Sequence, residues 1–463
     1  MNYPLISEYI EAIKSAEDNF KELTNLRPVL GDDGQPVMSS GNFAVVFKMW
    51  DRRECSYYAI KCFTKDQNLR AESYQMIVDE LEKVSSSYIP FMRYYDKELF
   101  VDTDQTDETE FPVLLMDWVE GEPLDKYIRN NVEDRFLLNM LAFRFSQLAQ
   151  WLFCQPFAHG DLKPDNILVL HNSALALVDF DGMYVPVMKG QDARELGSPD
   201  FSHPKRTEKD FNEHIDDFSI ISILLSLKLL SLDSTLLNRF GASDRLLLSR
   251  ADYQNISKCE LIKDIYPSQD CEVNRLTSLL VQSLTEGRAE LNRTNLNVNS
   301  KMKELSTLVN DEDYEDHYWD KDNVIYSGDG KRILGCNDAT NYRYSIKEGC
   351  EIICDYAFAG MCQMLESVEL PIGLKAIGSY AFSTCYLQSI HLPKTLKVIG
   401  DGAFSYNPDL YHICIPSSVE YIGKSIFEGG NDYFSIYIEP GTLSKFEKML
   451  PEYKNRLSEG MMW

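Results

Sequence analysis

Residues 159–166 read His159-Gly160-Asp161-Leu162-Lys163-Pro164-Asp165-Asn166, and residues 178–181 read Val178-Asp179-Phe180-Asp181. Asp161 and Asn166 are five positions apart with Lys163 and Pro164 between them, and Asp179 follows Asp161 by 18 at the end of an apolar run. Two carboxylates, an amide and an ammonium at this spacing can surround a single phosphate. One carboxylate orients an acceptor hydroxyl, while the amide and the second carboxylate hold magnesium against the phosphates of ATP. On this reading Asp161 serves the hydroxyl, Lys163 the γ-phosphate, and Asn166 and Asp179 the Mg ion.

The rest of the chain must supply the body that carries this loop. With 463 residues and 44% hydrophobic content it can form two or three domains with their own cores. Lys+Arg of 46 against Asp+Glu of 72 leaves a net charge of -26, which argues against nucleic acid or an anionic membrane as the main partner. No run of about eighteen apolar residues occurs, and the first residues lack the charged start and apolar core of a secretory signal, so a cytoplasmic protein is expected. Eleven cysteines, an odd number without a CxxC pair, predict reduced and mostly buried thiols rather than a disulfide framework or a zinc site. The oligomeric state is left open by the sequence.

Helical spacing of Tyr9, Ile10, Ile13, Phe20 and Leu23, with Ser7 as cap candidate, predicts an N-terminal helix within 1–28 that packs on the domain after it. Turn residues at 31–36 alternate with β-rich runs at Val45–Lys48 and Tyr57–Ile60, an antiparallel pattern. Helical periodicity returns from Leu69 to Val84, and 131–153 and 209–307 read as mostly helical, Leu- and Ile-rich stretches around short strands at 167–170 and 174–178. The expected class is α+β: a bilobal domain over 29–307 with a small β lobe and a large α lobe. Acidic and unperiodic residues, among them Asp311-Glu312-Asp313, predict a linker over 308–323.

From 324 to 463 the sequence repeats. Phe358, Phe382, Phe404 and Phe427 are spaced by 24, 22 and 23, and Leu365, Pro371 and Ile377 each open a series with the same period. Units that cannot bury their apolar face alone stack into a solenoid, and Ser367–Leu370 and Ser389–Leu392 alternate like strands of a parallel ladder. Ala381-Phe382, Leu387 to Pro393 and Leu396 to Gly400 resemble the units of BspA-like leucine-rich repeats. That resemblance implies a curved interaction module without chemistry of its own, and the unit over 324–463 is expected to be a short solenoid with a C-terminal helix. Cys362 and Cys385 are expected to pack inward, where Asn407 and Gly430 stand in other units.

Residues 36 to about 300 resemble the eukaryotic-like Ser/Thr protein kinases in the form found in bacteria. The segment Ser39 to Val46 is similar to the glycine-rich loop over the phosphates, with Gly41 the one glycine kept, and Ala59-Ile60-Lys61 to the strand whose lysine bridges the α- and β-phosphates. The resemblance implies a helix glutamate paired with Lys61. Glu72 is preferred to Glu80 because Arg70, Glu72 and Tyr74 form an Arg-x-Glu-x-Tyr segment, although helical spacing places Glu72, Met76 and Glu80 on neighbouring parts of one face. Leu114 to Gly121 resembles the hinge, with Met116 as gatekeeper and Asp117 to Val119 offering main chain to adenine. The resemblance thus places Gly41, Val46, Ala59, Lys61, Met116, Asp117 and Val119 around ATP, and Asp161, Lys163, Lys61 and Glu72 in catalysis. Gly197 to Pro204 is similar to the end of an activation segment, and Asp216 to the aspartate that caps the catalytic-loop backbone.

Three departures qualify the resemblance. Gly160 stands where many members carry an arginine that reads a phosphorylated activation segment, which predicts activity without that phosphorylation. Asp181 replaces the glycine after Asp179-Phe180, restricting the inactive flip of the loop, and Lys205 replaces the anchoring glutamate. His-Gly-Asp and Asp-Phe-Asp also occur in small-molecule kinases of the aminoglycoside and choline type. Loss of two loop glycines fits a nucleotide-binding scaffold without catalysis. Lys163-Pro164, the 197–204 segment and the Asp216 helix favour a protein acceptor, selected or tethered by the repeats.

Overall fold

The computed structural model describes residues 2–41, 43–65, 70–243, 245–286, 296, 298–337, 342–360 and 365–460, without the side chains of 70–72. The chain divides into two compact units, one of Met1–Leu170 with Leu175–Val298, the other of Asn299–Trp463 with His171–Ala174.

The first unit begins with a β lobe. Its antiparallel sheet has the order Leu26–Pro28, Ala44–Asp51, Ser56–Phe63, Glu110–Asp117, Met92–Phe100, and Met38–Ser40 hairpins onto Ala44–Asp51. One face is closed by the N-terminus: Tyr9, Ala12, Ile13, Ala16 and Phe20 are buried with Val45, Phe47, Ile60 and Val113. The Tyr9 hydroxyl donates to the Phe63 carbonyl at 2.8 Å. The expected single helix from Ser7 is instead Ile6–Lys14 followed by a turn Ala16–Asn19. It starts before Ser7 because the Glu8 carboxylate accepts from Leu5 N at 2.7 Å, and it breaks at Ser15, whose φ of -110° and ψ of 42° are not helical.

The α lobe is built on helix Asp217–Leu232, buried at nearly every position between Arg135–Phe153 and Cys271–Glu286. A helix with no polar face belongs in the middle of a core. Its one cation, Lys228, is buried and paired with Asp270 at 2.9 Å and Glu272 at 2.7 Å. Burial works against the charge of Lys228, but the two carboxylates outweigh it and raise its pKa.

In the second unit two kinds of parallel ladder run along the repeats. Ser367–Glu369 pairs with Arg343–Ser345 and Ser389–Ile390, as the alternation predicts. A second ladder joins Arg332–Cys336, Ile352–Ile353, Ala376–Ile377, Val398–Ile399 and Tyr421–Ile422. Between them Phe358, Phe382, Phe404 and Phe427 stack with centroids 5.1, 5.9 and 6.0 Å apart. Cys385 is buried, its thiol raised to about 12 by burial, and its Sγ points to the Phe358 carbonyl at 3.2 Å. One unit on, Asn407 Nδ2 donates to the Phe382 carbonyl at 2.8 Å, so the two side chains do the same stitching. Cys362 lies outside the described residues.

The expected linker 308–323 is structured and belongs to this unit, which starts at Asn299. Asp311–Tyr314 forms a 3-10 turn capped by Asn310, and Tyr318–Trp319 pairs antiparallel with Val324–Tyr326. Asp313 is buried because Arg332 meets it at 2.8 Å and also donates to the Ser306 and Leu308 carbonyls at 2.9 and 2.7 Å. Within the acidic run Asp313 is thus paired and buried, while Asp311, Glu312, Glu315 and Asp316 stay exposed. Among the described residues, no helix is long and apolar enough to cross a membrane.

Candidate active site

Cross-strand register sets one wall. Val46 is opposite Lys61, which is opposite Leu114, and Lys48 is opposite Ala59, which is opposite Met116. Residues directly opposite share a face, so Val46, Ala59, Lys61 and Met116 lie together on the face away from the N-terminal helix. Asp117, one residue on from Met116, gives its N–H to the Phe91 carbonyl and accepts Phe91 N on its carboxylate, both at 3.0 Å. Val119 is half-buried beyond the strand. Gly41 N donates to Ala44 O at 2.9 Å to close the hairpin turn, and an added Cβ there would meet only that oxygen, at 3.9 Å. Among the described residues no packing requires a glycine at 41.

The opposite wall is the 159–166 loop. Asp216 accepts from His159 N at 2.5 Å and Gly160 N at 2.9 Å, which fixes the backbone on either side of Asp161. Asp161 Oδ1 accepts from Ser198 N at 2.6 Å, and Oδ2 is 3.0 Å from Lys163 Nζ. Burial pushes the Asp161 carboxyl up, but Lys163 and the Ser198 amide outweigh it and hold it below the ordinary value. The group stays an acceptor, as orienting a hydroxyl requires. Lys163 is raised, because Asp161 outweighs the burial that opposes its charge.

Val178 N donates to Asn166 O at 3.0 Å, so Asn166 and Asp179 start from adjoining strands. Asn166 Nδ2 donates to the Asp161 carbonyl at 2.8 Å, which leaves its oxygen as the amide atom for a cation. Asp179 has φ of +64°, a left-handed backbone that aspartate tolerates at a cost, and its side chain is 52% exposed. Among the described residues no three His, Cys, Asp or Glu side chains are grouped to hold a metal alone. Magnesium needs no such cage: one or two hard oxygen ligands and substrate phosphates suffice, and the Asn166 and Asp179 oxygens fit that role.

Lys61 is 7% exposed and reaches across the cleft. Its Nζ meets the Asp181 carboxylate in its shortest contact, the Tyr74 hydroxyl at 2.7 Å and Asp179 Oδ1 at 3.5 Å. Glu80 is not its partner, since that carboxylate pairs with Lys83 at 2.9 Å. The Glu72 side chain lies outside the described residues.

Gly160 is more than an arginine lost. At φ +84°, a Cβ would lie 1.9 Å from the Gly182 carbonyl oxygen, so the two loops touch through backbone that only glycine permits. Arg206 supplies the guanidinium instead, donating to the Gly160 carbonyl at 2.9 Å. Sequence reading missed Arg206, Tyr74 as a lysine partner, and Asp165, whose carboxyl is pushed up by burial and by Asp125. Only Tyr74 carried a signal, through the Arg-x-Glu-x-Tyr spacing.

A family model described as a protein kinase domain matches residues 35–278, more than half of the 463-residue chain. The chain belongs to the protein kinase family. A second model, BspA type leucine rich repeat region, matches 336–453 in 6 copies, so a kinase domain is followed here by leucine-rich repeats. The kinase domain is similar to the citron rho-interacting kinase of Rattus norvegicus, 26% identical over 202 residues, which are 42% of this chain and 9% of that protein. It is similar to the cAMP-dependent protein kinase catalytic subunit 2 of Drosophila melanogaster, 22% identical over 186 residues, 39% of this chain and 49% of that protein. Ribosomal protein S6 kinase alpha-6 of Danio rerio is 25% identical over 169 residues, 36% of this chain and 22% of that protein. The matches thus span less than half of each of these relatives.

Proposed function

We propose that the chain transfers the γ-phosphoryl group of ATP, with Mg, to serine or threonine of a protein, and that the leucine-rich repeats recognise that protein. The observation that carries the reading is the Asp161 carboxylate, held ionised between Lys163 and Ser198 N and braced through Asp216. In this reading Asp161 orients the acceptor hydroxyl, Lys163 and Lys61 neutralise phosphate oxygens, and Asn166 and Asp179 hold Mg. The bound ion would neutralise charge on the transferring phosphoryl group. Gly41, Val46, Ala59, Met116, Asp117 and Val119 would surround the nucleotide.

A polypeptide acceptor is supported by the 197–204 segment, which folds onto the catalytic carboxylate itself through Ser198 N. A phosphorylated activation segment is not required, because Arg206, two residues beyond the 197–204 segment, already holds the Gly160 carbonyl. Phosphatase treatment should therefore leave the rate unchanged, and its collapse would refute the point.

Support for recognition by the repeats comes from a polar outward row, Ser345, Glu369 and His391, flanking the buried Tyr344, Val368 and Ile390. Tethering raises the local concentration of a substrate. Glu369→Lys should lower kcat/KM on the native substrate relative to a generic basic protein, and an unchanged ratio would remove this face from recognition. The chemistry itself is tested by Asp161→Ala, expected to cost at least about a hundredfold in kcat with nucleotide binding retained.

A further inference from the structure

We propose that Asp181 is the carboxylate that positions Lys61, doing from the loop after Phe180 what the family's helix glutamate does elsewhere. The inference rests on the ATP-binding reading above and assigns a role to a residue at which this chain departs from the family pattern.

An ammonium that is 7% exposed must find acceptors for its three hydrogens. The shortest contact of Lys61 is to Asp181, followed by Tyr74 Oη at 2.7 Å and Asp179 Oδ1 at 3.5 Å. Asp179 is the most distant of the three, its side chain is 52% exposed against 15% for Asp181, and it is the carboxylate assigned to Mg. It cannot serve both as the ion's ligand and as the constant anchor of the lysine. The shorter contact and the deeper burial assign that second task to Asp181.

Its backbone is also held on both sides. Phe180 is buried against the His159 ring at 5.4 Å, and Met183 N closes a turn onto Phe180 O at 3.1 Å. Gly182 packs on Gly160 so closely that Gly160 has no room for a Cβ. Helix Arg70–Leu81 contributes the neutral Tyr74 hydroxyl to Lys61, while the Glu80 carboxylate on that helix is taken by Lys83. The anchor of the phosphate lysine and the carboxylate for Mg therefore sit two residues apart on one braced loop. The carboxylate contact of Lys61 thus comes from the loop after Phe180, while the helix still reaches the ammonium through Tyr74.

The test compares the full-length wild type with Asp181→Asn, Asp181→Ala, Asp181→Glu and Glu72→Gln. Calorimetric binding of a non-hydrolysable ATP analogue with Mg is measured beside KM for ATP and kcat, with thermal unfolding as a check on the fold. Losing a charge-assisted bond to a phosphate-binding lysine should weaken analogue binding and raise KM by about tenfold, with a smaller change in kcat. Asp181→Glu should recover part of the loss, and Asp181→Asn should lose more than Glu72→Gln. The isosteric asparagine keeps the test usable where alanine disturbs the loop. Asp181 variants that bind like wild type, or a larger loss in Glu72→Gln, would overturn the proposal. A wild type that binds no analogue would instead refute the ATP-binding reading and the inference with it.

Discussion

The two units solve burial in opposite ways. In the repeats the recurring buried groups find a partner one period away: Phe358, Phe382, Phe404 and Phe427 stack at 5.1 to 6.0 Å, and Asn407 bonds the Phe382 carbonyl 25 positions back. At the cleft the partners are irregular in sequence, 13 positions apart for Lys61 and Tyr74, 37 for Asp161 and Ser198, and 120 for Lys61 and Asp181. Stability of stacked coils is close to a sum of neighbour terms. A site closed by long-range contacts has no such reserve, and one backbone contact can decide whether it forms.

That contrast can be broken by substitution. Phe382→Ala removes the middle of the aromatic stack and should cost about 3–5 kcal/mol, seen as a lower unfolding midpoint of the repeats in denaturant, with analogue binding retained. Lost binding would show that the units are not energetically separate. Gly160→Ala forces a Cβ onto the Gly182 carbonyl in a left-handed backbone. It should cost about 2–4 kcal/mol and abolish phosphoryl transfer, while the repeat transition stays in place.

Two smaller effects sharpen the account of charge in the catalytic unit. Lys228→Ala leaves Asp270 and Glu272 without their cation and should destabilise by about 1–3 kcal/mol, whereas Lys228→Met should cost less because it fills the space. Asp161 has a folded pKa below its ordinary value, so the unfolded chain takes up its proton first as the pH falls. Its stabilisation is complete above about pH 5 and disappears as the pH falls through the folded value. Denaturant titrations should show wild type losing stability relative to Asp161→Asn below about pH 4, and parallel curves would contradict the ionised reading.

The same contrast explains what could be read from sequence. The repeat period was legible because every coil restates it, and Asp161, Lys163 and Asn166 because they share one short loop. Lys61 was legible as a residue, but its contact with Asp181 was not: the two stand 120 positions apart, and only the fold brings them together. Gly160 read as a missing arginine, since a sequence does not display the Gly182 backbone pressed against it. The acidic stretch at 311–316 read as a linker because charge alone does not reveal that Arg332 covers Asp313.

The most direct test of the central claim is transfer of labelled γ-phosphate from ATP with magnesium, comparing full-length wild type with Asp179→Asn. The protein itself, a generic basic protein and an aminoglycoside are offered as acceptors. The account predicts label on serine or threonine of protein with wild type and none with the variant. Label confined to the aminoglycoside, or no transfer by a wild type that binds ATP, would contradict it.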